Sequence, residues 1–325
     1  EDPRAALAGA AALWFGKQHM TMVAVTGTNG KTSVANFARQ IWAELHETAV
    51  NLGTTGVEGA WTAPLNHTTP EPITLHRVLA EAAEEGVTHA AMEASSHGLV
   101  QRRLDGVNLQ AAGFTTFSQD HLEFHETFEA YFDAKALLFE RCLREDGVAV
   151  INLLDPQGAE MERRARARGL KVLTVGREGA DFALLSQRYD ATGQDILVDF
   201  QGVRKQVRLG LIGGFQAENV LVAAGLVVAT GATAASVLEV LGRLRTVRGR
   251  MDFAAKRDNG AAIFVDYAHT PAAVETALKA MRPHVMGRLV VVGGAGGDRD
   301  PTNRCLMGRA AAENADTVYV TDDNP

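Results

Sequence analysis

One ten-residue stretch constrains this chain more than any other: Val23-Ala-Val-Thr-Gly-Thr-Asn-Gly-Lys-Thr32. A short apolar strand runs into a turn punctuated by glycine and closes on Lys31 and Thr32. Apolar residues then recur at helical spacing, at Val34, Phe37, Ala38, Ile41 and Leu45. Strand, glycine loop and helix in that order form a cradle for phosphate. Backbone N–H groups of the turn Gly27, Thr28, Asn29 and Gly30 converge on the anion, Lys31 adds a point charge, and Thr32, followed by Ser33 in the nucleotide-binding stretch, offers its hydroxyl to a divalent cation. The widespread form of this loop begins with a glycine where the chain has Val25, so Gly27-x-x-Gly30-Lys31-Thr32 is a contracted version. The alternative is a Gly/Asn turn with a surface lysine.

A sequence with such a loop belongs to an α/β protein, and the rest of the chain agrees. Strand-like runs at 22–26, 87–93, 111–117 and 148–152 alternate with amphipathic stretches such as 72–85 and 128–143, the rhythm of a mainly parallel sheet covered by helices. From Leu170 to Ile212 the pattern shortens to alternating segments, which predicts a small antiparallel subsheet appended to the first core. Two helical stretches, 217–229 and 234–244, precede a basic, glycine-containing linker at 245–251. The α/β rhythm then restarts, with strands at 262–267, 289–293 and 317–321 and helices opened by Pro271 and near Asn303. The expected fold is a P-loop domain followed by a Rossmann-like doubly wound domain.

The 325 residues suffice for two substantial cores. A net charge of −7 argues against a nucleic-acid partner, because such proteins concentrate Lys and Arg against phosphates. Cys142 and Cys305 stand far apart and outside any Cys-x-x-Cys pair, which fits a reducing cytoplasm better than a disulfide framework. The longest apolar run is about ten residues, half of the ~20 a membrane span requires. The apolar start at 5–15 has the look of a signal-peptide core, but Glu1-Asp2 occupy the place of its basic region. It reads as a helix leading out of another part of a larger protein.

Open α/β sheets bind ligands at the carboxyl ends of their strands, and several strand ends here are chemically loaded. The run 87–92 ends in Glu93-Ala-Ser-Ser-His97, where Glu93 is placed either to hold Mg²⁺ or to be solvated. The run 111–117 leads to Asp120-His-Leu-Glu-Phe-His125; the His121 to His125 spacing admits zinc, or one histidine near Mg²⁺ or substrate and one structural. Lys135, on a largely apolar helix, is by itself an ordinary snorkelling lysine. Asp266-Tyr-Ala-His269 follows another strand and offers a carboxylate to a ribose, and Gly293-Gly-Ala-Gly-Gly-Asp298 lets backbone approach a ligand closely.

Together these segments resemble the Mur ligase family of cell-wall synthesis, and within it the branch that adds the third amino acid of the peptidoglycan stem. The resemblance rests on Thr26-Gly-Thr-Asn-Gly-Lys-Thr-Ser33, Met92-Glu-Ala-Ser-Ser-His-Gly-Leu-Val-Gln101, Asp120-His-Leu-Glu-Phe-His125, Val265-Asp-Tyr-Ala-His-Thr-Pro271 and Gly296-Gly-Asp-Arg-Asp300. It implies an ATP-dependent ligase in which a substrate carboxylate attacks the γ-phosphate and an amino acid's amine displaces phosphate from the acyl phosphate. It implies ATP and two Mg²⁺ as cofactors, with Lys31, Glu93, His121 and Lys135 as the catalytic set. Thr32, Glu93, His121 and Lys135 hold metal, Lys135 as a carbamate, which reverses the ordinary reading of that lysine.

By the same resemblance Asn219 contacts adenine and Asp266 the ribose, with Arg250 near the phosphates and His269 beside them. Thr68, Thr69, Ser95, Gln101 and Arg103 grip the UDP-linked muramoyl dipeptide, and Asp323 and Asn324 face the incoming amino acid, expected to be meso-diaminopimelate with L-lysine as the alternative. The family's domains map to 1–20 as the remnant of a UDP-binding domain, 21–245 as the ATP-binding ligase domain and 246–325 as part of the C-terminal domain. The setting is the bacterial cytoplasm, with no obligate protein partner, and the shortened chain is expected to bind Mg-ATP but couple poorly. Two rivals remain: a folylpolyglutamate synthase-like ligase, and a nucleotide-binding module without ligase activity. The His67-Thr-Thr-Pro70 and Ser95–Gln101 segments favour the muramoyl substrate over the first.

Overall fold

The computed structural model describes residues 2–18, 21–118, 122–295 and 301–322. In chain order the elements begin with α1 (Pro3–Phe15), β1 (Thr21–Thr26), α2 (Lys31–Glu44), β2 (Ala49–Gly53), β3 (Gly56–Gly59), α3 (Pro72–Glu84), β4 (His89–Glu93), α4 (Ser96–Val100) and β5 (Leu109–Phe114). Next come α5 (Leu122–His125), α6 (Phe128–Leu137), a π-helical turn at Leu138–Cys142, β6 (Leu143–Asn152), α7 (Gly158–Ala167) and β7 (Lys171–Gly176). The strands β8 (Phe182–Asp190), β9 (Gly193–Phe200) and β10 (Val203–Leu209) lead to α8 (Phe215–Ala229) and α9 (Ala234–Val240). The remainder is β11 (Asp252–Lys256), β12 (Ala262–Val265), α10 (Pro271–Met281), β13 (Val290–Gly293), α11 (Pro301–Asn314) and β14 (Thr317–Val320).

Ten strands form one sheet in the order β10-β9-β8-β7-β6-β5-β1-β4-β2-β3. Parallel pairing runs from β8 through β2, and β3 closes one edge antiparallel to β2. Strand β1 is flanked by β4 and β5, with Val25 opposite both Glu93 and Gly113. That register brings the carboxyl ends of three strands to one level. The subsheet expected over 170–212 starts later than its sequence suggested, because β7 pairs parallel with β6 and extends the main sheet. The short hairpins β8, β9 and β10 supply the rest.

A strand buried on both faces must be apolar throughout, and Met22 to Val25 are. Beneath one face lies a core of Met22, Leu52, Leu75, Leu79, Met92, Phe114, Tyr131 and Phe139. Helix α8 crosses where the sheet is smooth: a Cβ on Gly113 would stand 3.2 Å from Val222, and one on Gly225 2.7 Å from Val150. Those two glycines set how closely α8, which carries Asn219, approaches the sheet. Helix α3 starts at Pro72 because Glu71 caps it, accepting from the N–H groups of Ile73 and Thr74 at 2.8 and 2.9 Å.

Two compact units divide the chain. One holds the chain to Ser186 together with Leu197–Val207 and Glu218–Leu244; the other holds Gln187–Ile196, Arg208–Ala217 and the chain from Arg245 on. The second unit has its own core of Ile212, Met251, Leu278, Met281, Leu289 and Ala311. Its strands form an antiparallel pair, β11 with β12, and a parallel pair, β13 with β14. Among the described residues no helix is long and apolar enough to cross a membrane.

Candidate functional site

The glycine loop joins β1 to α2 as its spacing requires. Gly27 has φ +149° and Gly30 +89°, both in the region that an L side chain rarely adopts. Space forbids a side chain as well, since a Cβ on Gly27 would stand 1.9 Å from Thr115 Oγ1 and one on Gly30 2.4 Å from Asn219 Oδ1. The loop is pinned from the end of β5: Thr28 N donates to Thr116 O at 2.7 Å, Asn29 N to Thr116 Oγ1 at 3.2 Å, and Ser118 N to Thr28 Oγ1 at 3.1 Å. The Thr28 and Asn29 amides, expected to face the anion, are thus spent on Thr116, and the cradle is left to the other amides of the turn.

Two ammonium groups meet at this loop. Lys31 Nζ donates to Gly27 O and Thr28 O, each at 2.8 Å. Lys135 Nζ, from α6, donates to the same Gly27 O at 2.8 Å and lies 4.3 Å from the Tyr131 ring centroid. Lys135 is 1% exposed, so it is not the snorkelling lysine that its helix alone would imply.

Glu93 ends β4 beside the same loop and is 2% exposed. Thr32 Oγ1 donates to Glu93 Oε2 at 3.0 Å, and Thr54 N donates to Oε1 at 2.8 Å. A hydroxyl and a carboxylate in contact are oxygen donors of the kind that suit Mg²⁺. Solvation is therefore not the explanation for this carboxylate. The close approach of β2 makes room for it: a Cβ on Gly53 would stand 1.9 Å from Glu93 Oε1. Gly53→Ala is accordingly expected to displace the carboxylate and to raise the Mg²⁺ concentration needed for nucleotide binding by about 10- to 100-fold, the range for a disturbed metal surround. A titration of Mg²⁺ against a fluorescent ATP analogue checks this, and an unchanged midpoint would remove Glu93 from the metal site.

A second group of residues extends from Glu93. Thr69 is buried; its Oγ1 donates to Glu93 O and accepts from Ser95 N, both at 2.9 Å. Thr54 Oγ1 and Thr68 Oγ1 are 3.1 Å apart. Ser95 caps α4, accepting from Gly98 N at 3.1 Å. Arg103 donates to Thr69 O at 2.6 Å and through Nε and Nη2 to Gln101 Oε1 at 3.1 and 2.7 Å. Thr68, through Thr54, and Thr69, Ser95, Gln101 and Arg103 thus form one hydrogen-bonded network that starts at Glu93.

In the second unit Asp266 accepts from Met251 N at 2.8 Å and Ala268 N at 2.9 Å. Burial pushes its carboxyl above the ordinary value, against the opposing pull of those amides and of Arg250. Arg250 lies over the Tyr267 ring at 5.0 Å, and His269 Nδ1 is 2.9 Å from Tyr267 O, which places the proton on that nitrogen. Arg250, Asp266 and His269 therefore form one cluster within their unit. His121, Asp323, Asn324 and the segment 296–300 lie outside the described residues. His125 is buried among aromatic rings, 5.1 Å from Tyr131 and 4.8 Å from Phe124, as suits a structural histidine. Among the described residues no three His, Cys, Asp or Glu side chains converge on a common point.

Thr54, Thr115, Thr116 and Tyr131 were not legible as site residues. For Thr115 and Thr116 a signal existed, two hydroxyls at the carboxyl end of a strand next to the glycine loop.

Comparison with known proteins agrees with this geometry. Residues 25–227 match the Mur ligase middle domain and residues 249–325 the Mur ligase glutamate ligase domain. The chain is 50% identical over 325 residues to a UDP-N-acetylmuramoyl-L-alanyl-D-glutamate--2,6-diaminopimelate ligase of Agrobacterium fabrum, covering all of this chain and 66% of that protein. It is 49% identical to the ligase of the same name from Mesorhizobium japonicum, over all of this chain and 67% of that one. It thus spans about two thirds of the length of these relatives. A solved 2,6-diaminopimelate ligase of that name superposes with a TM-score of 0.78 at 33% identity, over 99% of this chain and 66% of the other. The Mycobacterium tuberculosis folylpolyglutamate synthase complexed with ADP shares the fold, with a TM-score of 0.80 at 20% identity over 99% of this chain and 78% of that one. The chain belongs to the Mur ligase family.

Proposed function

We propose that this chain is the catalytic part of an ATP-dependent ligase that joins meso-diaminopimelate to UDP-N-acetylmuramoyl-L-alanyl-D-glutamate in bacterial peptidoglycan synthesis. The observation that carries this reading is the contact of Thr32 and Glu93 with each other, beside a glycine loop on which Lys31 and Lys135 converge. Residues 21–245 hold the nucleotide and the acceptor, and 246–325 supply Arg250, Asp266 and His269 to phosphates and ribose. Asn219, beside Gly30, serves the adenine. Asp323 and Asn324 face the amino acid, and L-lysine is the alternative to diaminopimelate. The ATP and nucleotide-linked substrates of such a reaction belong to the cytoplasm.

Bound Mg²⁺ neutralises phosphate charge, and Thr32 and Glu93, with His121 and a carbamylated Lys135, are the residues that would hold two such ions. Amides of the turn other than those of Thr28 and Asn29, with the Lys31 ammonium, orient the γ-phosphate and stabilise the charge that develops on it. A carboxylate oxygen of the acceptor, steered by Arg103, Gln101, Ser95 and the two threonines, forms a bond to the γ-phosphorus while the bond to the β-phosphate oxygen breaks. The products are ADP and an acyl phosphate. The amine of the amino acid then attacks the acyl carbon, phosphate leaves, and the amine's proton passes to solvent. No covalent enzyme intermediate is needed.

Phosphate release measured with Mg-ATP, the UDP-linked dipeptide and meso-diaminopimelate tests the proposal. The expected result is Mg-ATP binding with phosphate release that depends on both other substrates. Stimulation by a folate and glutamate, and not by the dipeptide, would favour the folylpolyglutamate reading. ATP binding with no stimulation by either would favour an inactive module.

A further inference from the structure

The turn that presents Gln101 and Arg103 is strained. It leaves α4 through Arg102, whose φ of +57° lies in the left-handed region where a side chain other than glycine costs energy. Such a conformation persists only where its surroundings over-determine it, and the surroundings here are charged. Arg102 donates from Nε to Asp2 Oδ2 at 2.6 Å and from Nη1 to Asp105 Oδ2 at 2.8 Å. The other oxygen of Asp105 accepts from Arg141 Nε at 3.2 Å, and Arg141 Nη2 donates to Leu99 O. His76 Nε2 lies 3.2 Å from Asp105 O. Arg141 therefore clasps the turn at both ends, at Leu99 before it and Asp105 after it.

Arg141 sits on the π-helical turn Leu138–Cys142, which directly continues the helix that carries Lys135. A π turn adds a residue to a helical turn and re-aims the side chains beyond it, a feature concentrated near functional sites. Here it follows the Lys135 helix and carries the guanidinium that reaches the Gln101 turn. Arg141 and Asp105 are only partly exposed, at 25% and 18%, so the pair is shielded better than a surface ion pair. A continuous connection runs from Lys135, at the phosphate loop, through Arg141 to the turn that carries Gln101 and Arg103.

We infer that Arg141 is a positioning residue for the acceptor: it fixes the turn 101–106 so that Gln101 and Arg103 meet the dipeptide in register with the Lys135 helix. This rests on the proposed function, in which those two side chains grip the acceptor. The planar fork of arginine serves a carbonyl and a carboxylate together, and the point charge of lysine serves them less well.

The test compares Arg141→Met and Arg141→Lys with the wild type. It measures equilibrium binding of UDP-N-acetylmuramoyl-L-alanyl-D-glutamate and of a non-hydrolysable Mg-ATP analogue, together with amide hydrogen exchange. Arg141→Met is expected to weaken the dipeptide about 10-fold or more, the order of a lost charge-assisted contact. Exchange should quicken at 99–106 while nucleotide affinity stays within about 2-fold, with Arg141→Lys intermediate. Unchanged dipeptide affinity and exchange would overturn the assignment. So would a parallel loss of both ligands with faster exchange throughout, the mark of a merely structural role. A wild type that binds the nucleotide but no dipeptide would instead overturn the functional reading, and the positioning role with it.

Discussion

Lys31→Ala is expected to lower Mg-ATP affinity by at least about 100-fold while leaving the fold intact. Charge-assisted hydrogen bonds contribute about 1.5–3 kcal/mol each, and an ammonium that spans two phosphate oxygens forfeits two of them, about 3–6 kcal/mol and so more than two decades in Kd. A second effect has the same sign. Lys31 Nζ now caps the carbonyls of Gly27 and Thr28. Without it, Thr28 O loses its ammonium donor and its negative end disfavours incoming phosphate, while Gly27 O keeps Lys135. The substitution deletes a half-buried side chain at the start of α2 and no core contact, so thermal stability without nucleotide should change little. Calorimetric titration with an ATP analogue reads the affinity. A loss of less than about 3-fold would remove the phosphate-loop assignment.

That prediction could be written from the sequence because the loop is local: glycine, lysine, threonine and the helical period of Val34, Phe37 and Ile41 lie within twenty residues. The same locality made α3 and the later α/β alternation readable. What escaped is non-local or irregular. The hairpin of β2 and β3 is short and broken by Gly53, Gly56 and Gly59, so its eleven residues carry little periodic signal. The start of β6 is polar, Leu143-Arg-Glu-Asp-Gly, and gave no sign of a strand. The π turn interrupts a stretch that reads as one continuous helix from 128 to 143.

Within the site, the chemical types at Glu93 and Lys135 were visible while their surroundings were not. Whether a strand-end carboxylate is solvated or enclosed depends on what lies across from it, and Gly53 lies forty residues away in sequence. Whether a lysine on an apolar helix reaches water depends on tertiary packing, and this one does not. The pinning of the loop by Thr115 and Thr116 likewise required the β1–β5 register.

Lys135→Ala should abolish ligation, by about 100-fold or more, while nucleotide affinity changes far less than in Lys31→Ala, and the reason lies in the shared carbonyl. Lys31 and Lys135 both donate to Gly27 O at 2.8 Å, so two like charges are neighbours, Lys135 buried and Lys31 half-buried. Repulsion at such range is strong where the effective dielectric is low. Converting one of the pair to an anion replaces repulsion with attraction. The resemblance to the Mur ligases implies that Lys135 is the one converted. After the ammonium gives one proton to solvent, its amine nitrogen can bond to the carbon of CO₂, one carbon–oxygen π pair moving onto oxygen and a second proton leaving to solvent, to give a carbamate whose oxygens suit Mg²⁺. Removing CO₂ from the buffer should then lower the ligation rate, and bicarbonate should restore it in the wild type but not in Lys135→Ala. Labelled bicarbonate should give one carbamate carbon signal that is absent from the variant. Ligation by the wild type that is indifferent to CO₂, with no such signal, would mean that Lys135 acts as a cation and that this helix offers no ligand to a second metal.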